Sequence, residues 1–563
     1  MKRNKVIVIG LDGVSFDILR PWLNQGRLPN LQHLMDTGVS TPMTSVPPVH
    51  TASAWTSLMT GRRIDQHGVF DFFEMAEDEY RPRFLSSADV KAPYLWEIAS
   101  QQGLRSIVIN IPLTHPARAF DGILIPGSMA PPHPPCYPRG VLEEVSSAIG
   151  GYQIYWPNEV DDSARFEEKL QGFLKLSGMR RDAAIYLAQK YDWDLLIVQF
   201  QRTDSIFHIL NKETSGAGSS QSMKAVERLF KTIDDYIGDI ISLDQEATIF
   251  LVSDHGMGAT DWLFAINSWL KSEGYLKTRV DESWEAFEID AEFSRLADPA
   301  DTSDRSPVEA ILKGLAYLGL TKQRVEKLVR FLRLERMVLK LVPYELLKTQ
   351  AGSESIDWNN SKAFCHYSSG GGVRINLKGR EPRGSVFPGA EYESLCDEIV
   401  TRLSHLNDPQ GQPLFEWVAK RAEFYKGPYF DKIPDIVYLP RGDNYKIEKR
   451  IRGNIFIPIK SYYAHKRDGL FLARGGFVRA DGWSPRATPS ILDFAKTVLC
   501  TLGLPVDLGM SGEVLDIFEA SFLNTIPEPI RYTIEDVVNF DVRTAEANDS
   551  ERKMMEDHLR ALG

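Results

Sequence analysis

Asp254 and His255 stand side by side in Ser253-Asp254-His255-Gly256-Met257-Gly258, the segment that closes the apolar run Ala247–Ser253. A turn accounts for the glycines but not for an adjacent carboxylate and imidazole. A second pair, Asp204 and His208, follows the run Asp194–Phe200. Residues four apart share one helical face, so one carboxylate and one imidazole can reach a single cation. Asp12 lies in Gly10-Leu11-Asp12-Gly13, at the end of the first apolar run. His465 lies in Ala464-His465-Lys466-Arg467-Asp468-Gly469, which reads as a loop before the run Gly469–Ala473. Thr51 opens Thr51-Ala52-Ser53-Ala54-Trp55 after two prolines. That places it at a helix N-terminus, where free N–H groups and the helix dipole favour an anion or an alkoxide.

Each segment also has a plainer use. Asp12 could cap the next helix, and Thr51 or Ser53 could cap theirs. Asp204 and His208 could be a surface pair, and His465 could be structural. Together, however, the five segments supply two sets of mixed oxygen and nitrogen donors. One set is Asp204, His208 and His465. The other is Asp12, Asp254 and His255, completed by Thr51. Three protein ligands with an open position is the pattern of a catalytic zinc site. Two such sites about 4 Å apart would clamp a phosphoryl group and activate a nucleophile. No cysteine belongs to either set, which leaves manganese, iron and cobalt open beside zinc.

The elements that must position these residues can be read from the apolar runs. Lys5–Leu11, Arg105–Asn110, Asp194–Phe200, Ala247–Ser253, Asp435–Leu439 and Gly469–Ala473 show no polar alternation, as expected of strands buried on both faces. Helical patterns fall between them at Ala92–Gln101, Arg165–Lys190, Met223–Ile241, Tyr392–Leu406 and Ser490–Leu502. The alternation predicts an α/β fold with a central, mostly parallel sheet flanked by helices. Ligands of such sheets bind beyond the C-terminal ends of the strands, where the five segments fall.

Two stretches break the rhythm. The Pro-rich residues 127–139 read as a non-regular surface loop. Residues 275–355 lack strand signals and contain helical patterns at Pro307–Tyr317 and Lys322–Leu341, which suggests a helical cap inserted in the core. The expected organisation is a first core part (1–274), the cap (275–355), a second core part (356–525), and a C-terminal tail with a helix (526–563).

Composition excludes several classes. Hydrophobic residues make up 43% and charged residues 25%, which is globular rather than disordered or coiled-coil. The net charge of −11 disfavours general nucleic-acid binding, and no nucleic acid is expected as a partner. The four cysteines form no CxxC pair, which points to buried reduced thiols. The apolar run near the N-terminus, Val6–Leu11, is shorter than a signal-peptide core. No window of about 18 apolar residues predicts a transmembrane segment, so a cytoplasmic location is expected. The basic helix 322–340 could touch a membrane surface, although a cap helix with solvated charges accounts for it as well.

Five of the segments, in this order and spacing, resemble the alkaline phosphatase superfamily, and more narrowly its type I phosphodiesterase/nucleotide pyrophosphatase family. They are GLDG at 10–13, TASAWTSLMTG at 51–61 with DQHG at 65–68, DSIFH at 204–208, SDHGMG at 253–258 and AHKRDG at 464–469. The helix after Thr488 and its Leu502-Gly503-Leu504-Pro505 turn are similar as well. The resemblance implies that Thr51 is the nucleophile and forms a phospho-threonine intermediate. It also implies that Asp12, Asp254 and His255 hold the cation that activates Thr51, while Asp204, His208 and His465 hold a second. The backbone N–H of Ala52 would bind equatorial phosphoryl oxygens.

The implied cofactors are two divalent metal ions, zinc first and manganese second. The implied function is hydrolysis of a small-molecule phosphate ester, a phosphodiester or pyrophosphate. The alternatives are a phosphomonoesterase, a cofactor-independent phosphoglycerate mutase-like phosphotransferase, and a phosphonate hydrolase. One departure concerns substrate: after His67-Gly68 the chain reads Val69-Phe70-Asp71-Phe72-Phe73, without the phosphate-binding Asn of nucleotide pyrophosphatases. Cys136-Tyr137-Pro138-Arg139-Gly140 has Gly140 where a sulfatase motif needs Arg.

Overall fold

The computed structural model describes residues 4–75, 80, 82–156, 166–211, 220–279, 356–367, 370–442, 444–479, 488–525 and 527–534. The helices expected at 307–317, 322–341 and 550–562 lie outside the described residues, as does almost all of the expected cap.

Among the described residues, seven strands form the central sheet. From edge to edge they are Val39–Thr44, Asp468–Arg474, Thr248–Val252, Val6–Leu11, Leu195–Phe200, Ser106–Ile109 and Gly122–Ile125. The last five pair in parallel. Asp468–Arg474 is antiparallel to both of its neighbours. The sheet is therefore mostly parallel, with one reversed strand.

Every residue of Val6–Leu11, Leu195–Phe200 and Thr248–Val252 is buried. Successive side chains leave a strand on opposite faces. Val6 and Val8 accordingly enter one apolar core while Ile7, Ile9 and Leu11 enter another. Helices Thr51–Thr60, Leu95–Gln101 and Leu492–Thr501 cover the first face. Helices Phe16–Leu23, Pro29–Thr37, Val141–Ile149, Phe166–Lys190, Arg202–Leu210 and Ser220–Ile241 cover the second. The chain has to place helices on both faces because the apolar runs have no polar side.

A further layer departs from the sequence reading. Ile436–Pro440 is as apolar as a central strand, yet it pairs antiparallel with Phe415–Lys420 outside the main sheet. Periodicity shows that a strand is buried but not which sheet buries it. This pair packs with helix Ala390–Ser404 around a separate core that includes Phe264, Trp269, Trp358, Phe364 and Phe415. Two long strands tie this lobe to the sheet. Gly256–Ala265 pairs antiparallel with Phe456–Lys466 and parallel with Tyr445–Glu448.

The Pro-rich loop is non-regular, as expected, but it is not on the surface over its first part: Ser128, Met129, Ala130 and Pro131 are buried. Burial is tolerable because its backbone is partnered. Gly127 N–H donates to Ile111 O at 3.1 Å, Leu113 N–H to Ser128 O at 3.2 Å, and Met129 N–H to the Tyr155 hydroxyl at 3.1 Å. All four cysteines are free and buried. Among the described residues no helix is long and apolar enough to cross a membrane.

Candidate metal and phosphoryl centre

The topology brings all five segments to one edge of the sheet. Asp12 follows Val6–Leu11, Asp204 lies just beyond Leu195–Phe200, and Asp254 follows Thr248–Val252. These parallel strands end at the same edge. Asp468–Arg474 runs the opposite way, so its N-terminal end arrives there, with His465 three residues before it. Val39–Thr44 runs antiparallel to that strand, with Thr44 opposite Asp468, and delivers the chain toward Thr51 at the same edge.

Asp204 sits in the first turn of helix Arg202–Leu210 and His208 one turn later. The His208 Nε2 atom lies 3.2 Å from Asp204 Oδ2. His465 Nε2 lies 3.2 Å from His208 Nε2 and 3.4 Å from Asp204 Oδ1. The sequence reading put His465 in a loop. It is instead in strand Phe456–Lys466, paired opposite Met257. The Lys-Arg-Asp-Gly stretch that signals a turn only begins after it.

The second group is buried deeper. Asp12, Asp254 and His255 are fully buried, and Thr51 nearly so. His255 Nε2 lies 3.3 Å from Thr51 Oγ1, 3.4 Å from Asp254 Oδ2 and 3.7 Å from Asp12 Oδ1. Its other nitrogen, Nδ1, faces the Gly256 carbonyl at 3.0 Å. A carbonyl only accepts, so the proton is on Nδ1 and the Nε2 lone pair points into the site. His465 is oriented in the same way, with Nδ1 facing Val49 O at 3.2 Å. The two groups adjoin each other: the His255 and His465 rings stack at 4.0 Å, and donor atoms of Asp204 fall within 4.8 Å of Asp12 and His255 as well as of His208 and His465.

Glycine is needed at the centre. Gly13 has φ +63, and a Cβ there would stand 2.7 Å from Asp204 Oδ1. Its N–H donates to Asp254 Oδ1 at 3.3 Å.

Burial dominates the electrostatics of the cluster. Burial, followed by the charges of Asp254 and Asp204, pushes the Asp12 carboxyl well above its ordinary range. Burial raises Asp254 too, with the Gly13 N–H opposing and Asp204 adding to the rise. Burial also pushes Asp204 upward, but His208 and His465 outweigh it and hold that carboxyl well below the usual range. Burial and the neighbouring His465 lower His255. Asp12 Oδ1, Asp204 Oδ1 and Asp254 Oδ2 are buried and accept no hydrogen bond. Bare buried carboxylate oxygens are costly unless a cation meets them. Three such oxygens beside three imidazole nitrogens fit divalent metal ions.

Thr51 is the first residue of helix Thr51–Thr60. Neither Thr51 nor Ser53 caps the helix. The cap is His50, whose Nδ1 accepts from Ala52 N–H at 3.4 Å. The Ala52 N–H, expected to face phosphoryl oxygens, is thus engaged by the preceding side chain. His50 Nε2 in turn lies 3.6 Å from the buried Asp71 Oδ1. His50 and Asp71 went unremarked as site residues in the sequence, although His50 adjoins Thr51. His67, by contrast, is wholly buried away from this cluster. Its Nδ1 accepts from Val69 N–H at 3.1 Å and its Nε2 faces Ser57 Oγ at 2.9 Å.

Comparison with known proteins agrees with this architecture. The sequence model of the type I phosphodiesterase / nucleotide pyrophosphatase family matches residues 6–333. No curated protein matches the sequence. Among solved structures, a quadruple mutant of the alkaline phosphatase PafA is similar with a TM-score of 0.51 at 12% identity, covering 92% of this chain and 100% of that one. Phosphonoacetate hydrolase from Sinorhizobium meliloti 1021 in complex with phosphonoformate has a TM-score of 0.49 at 12% identity, covering 88% and 94%. Murine ectonucleotide pyrophosphatase/phosphodiesterase 5 has a TM-score of 0.46 at 12% identity, covering 95% and 100%. At 12% identity a likeness is one of fold, and of these three it is the PafA structure that carries it.

Proposed function

The chain belongs to the type I phosphodiesterase / nucleotide pyrophosphatase family and is a phosphoester hydrolase, and on that premise we propose that it cleaves a phosphodiester or pyrophosphate by way of a covalent intermediate on Thr51. The observation that carries this reading is the position of Thr51 Oγ1. It stands at a helix N-terminus, 3.3 Å from the lone pair of His255, beside carboxylate oxygens that have no donor.

Asp12, Thr51, Asp254 and His255 would hold one divalent ion, and Asp204, His208 and His465 the other. Zinc is the expected ion, since three protein ligands with an open position is the pattern of a catalytic zinc site, and manganese is the second candidate because neither set contains a thiolate. Ions bound there would supply Lewis acidity, lowering the pKa of the Thr51 hydroxyl and of the attacking water and offsetting charge on the leaving oxygen.

The residues do the remainder. Thr51 Oγ1, its proton released to solvent water, attacks phosphorus in line, and the bond to the leaving oxygen breaks with its electron pair on that oxygen, which takes up a proton from water. Phosphorus is then bonded to Thr51 and still carries its other ester group. Water, giving up one proton to solvent, attacks from the position the leaving group vacated, and the bond to Thr51 Oγ1 breaks in turn with its electron pair on Oγ1, which regains a proton. The Nδ1–H of His255 and of His465, each held by a backbone carbonyl, keep both Nε2 atoms facing the reacting region.

The test is a paired assay on the full chain after metal reconstitution. An aryl phosphodiester is compared with the matching monoester, in Zn²⁺ and in Mn²⁺, with Thr51→Ala as the control. Faster, Thr51-dependent diester cleavage is expected. A marked monoester preference would contradict the diester reading, and turnover by Thr51→Ala would contradict the nucleophile.

A further inference from the structure

Gln199 is the one polar residue in the buried strand Leu195–Phe200. Its side chain is wholly buried and points to Asp12, with Nε2 donating to Asp12 Oδ2 at 2.8 Å. The indole Nε1–H of Trp55 donates to the same oxygen at 3.1 Å. Oδ2 is therefore held by two donors while Oδ1 has none. A free carboxylate could rotate and exchange its oxygens. Here the two ends are made unequal.

What keeps the Gln199 amide the right way round is a chain of two more residues. Asn110 Nδ2 donates to Gln199 Oε1 at 2.7 Å and to the Gln199 carbonyl at 3.0 Å. Arg180 Nη2 donates to Asn110 Oδ1 at 3.2 Å, and the same guanidinium donates to the carbonyls of Gln153 and Ile154. A guanidinium has no acceptor. Beside Arg180, Asn110 must therefore present its oxygen, which turns its NH₂ to Gln199. Gln199 must then present its oxygen to Asn110, which turns its own NH₂ to Asp12. Each amide has one satisfied orientation, and the polarity is set at the far end by a residue that can only donate. Asn110 has φ +70, a left-handed conformation that Asn tolerates better than most residues.

We infer that Gln199 is a positioning residue for the metal centre, its orientation fixed by Asn110 and Arg180 so that Asp12 offers Oδ1, and only Oδ1, to a divalent cation. The inference rests on the two-cation reading above. It adds a specific dependence: affinity at the Asp12 site, and not at the His208–His465 site, is set by a hydrogen-bond chain whose residues are not themselves among the proposed ligands. Trp55 shares in the hold. It packs so closely over the strand that a Cβ at Gly10 would stand 2.4 Å from its ring.

The experiment is calorimetric titration of chelator-stripped full chain with Zn²⁺, for the wild type, Gln199→Met and Asn110→Gly. His208→Ala is included to assign which step of the isotherm belongs to which site. Met matches the length of Gln without a donor, and Gly accepts the φ of Asn110. Gln199→Met should weaken the Asp12 step by about 10- to 100-fold, the usual range for partners that orient a metal ligand. Asn110→Gly should weaken the same step by less, and the other step should stay at its wild-type value in both. Should Asn110→Gly fail to fold, Gln199→Met alone decides. Wild-type affinity at both steps in Gln199→Met, or equal weakening of both, would overturn the inference while leaving the two-cation reading intact. A wild type that binds no Zn²⁺ would overturn that reading, and this inference with it.

Discussion

The Nε2 atoms of His208 and His465 face each other at 3.2 Å. His465 directs its other nitrogen at the Val49 carbonyl, so its Nε2 carries a lone pair rather than a proton. Asp204 lies against both rings, at 3.2 and 3.4 Å. On the proposed reading these two imidazoles and the carboxylate are ligands of one ion, and three tests follow from the convergence and its surroundings.

His465→Ala removes one ligand from this group and leaves the Asp12 group whole. Zinc content should fall from two per chain toward one. Turnover should fall by about 10³-fold or more, since several kcal/mol of charge stabilisation is lost at roughly tenfold per 1.4 kcal/mol. Metal analysis together with steady-state kinetics checks both. Two retained zinc ions would contradict the ligand set.

Gly13→Ala tests the close approach of two segments. The added Cβ would meet Asp204 Oδ1 at 2.7 Å in a left-handed conformation. The backbone alone should cost about 1–2 kcal/mol, and displacement of Asp204 should weaken cation binding. Thermal unfolding should show a lower Tm, with a smaller gain on adding Zn²⁺ than in the wild type. An unchanged Tm and an unchanged gain would contradict the packing described.

Stripping the metal should destabilise the fold as well as stop turnover. On the proposed reading the cations bind the native arrangement only, so restoring Zn²⁺ at about 100 times its Kd should return roughly 2.7 kcal/mol per site. Calorimetry before and after a chelator measures it. Full turnover and an unmoved Tm in chelator would contradict a metal centre.

His67 provides a pH test away from the centre. Burial lowers its pKa from 6.5 to about 3 in the folded chain. Protonation would also break the Val69 N–H bond to Nδ1. The unfolded chain therefore binds the extra proton between these pH values, and stability is lost as pH falls. At neutral pH the wild type should exceed His67→Gln in Tm, and the gap should narrow from about pH 6.5 downward. A gap independent of pH would show that His67 is not held neutral.

Much of this centre could be read from the sequence because its parts are local. Asp12, Asp204 and Asp254 each follow an apolar run, and a strand end is where an α/β sheet places its chemistry. The Asp204–His208 pair declares itself by helical spacing. Other features depend on distant chain segments. Nothing near residue 465 indicates that strand Phe456–Lys466 continues through His465, because its partner is Gly256–Ala265. Asn110 and Arg180 look ordinary until the fold stacks them behind Asp12. Gln199 did leave a trace, as the polar interruption in Leu-Leu-Ile-Val-Gln-Phe. Composition marks residues 127–139 as irregular backbone but does not show the partners that let the start of this loop be buried.

The central claim is that Thr51 carries the covalent intermediate. The most direct measurement is mass spectrometry of the peptide containing Thr51 after rapid acid quench of zinc-loaded enzyme with bis-aryl phosphodiester. The account predicts that this peptide gains one aryl phosphoryl group, on Thr51, at early times and loses it as turnover completes. Steady turnover with Thr51 unmodified at every quench time, or the same adduct on another residue, would contradict it.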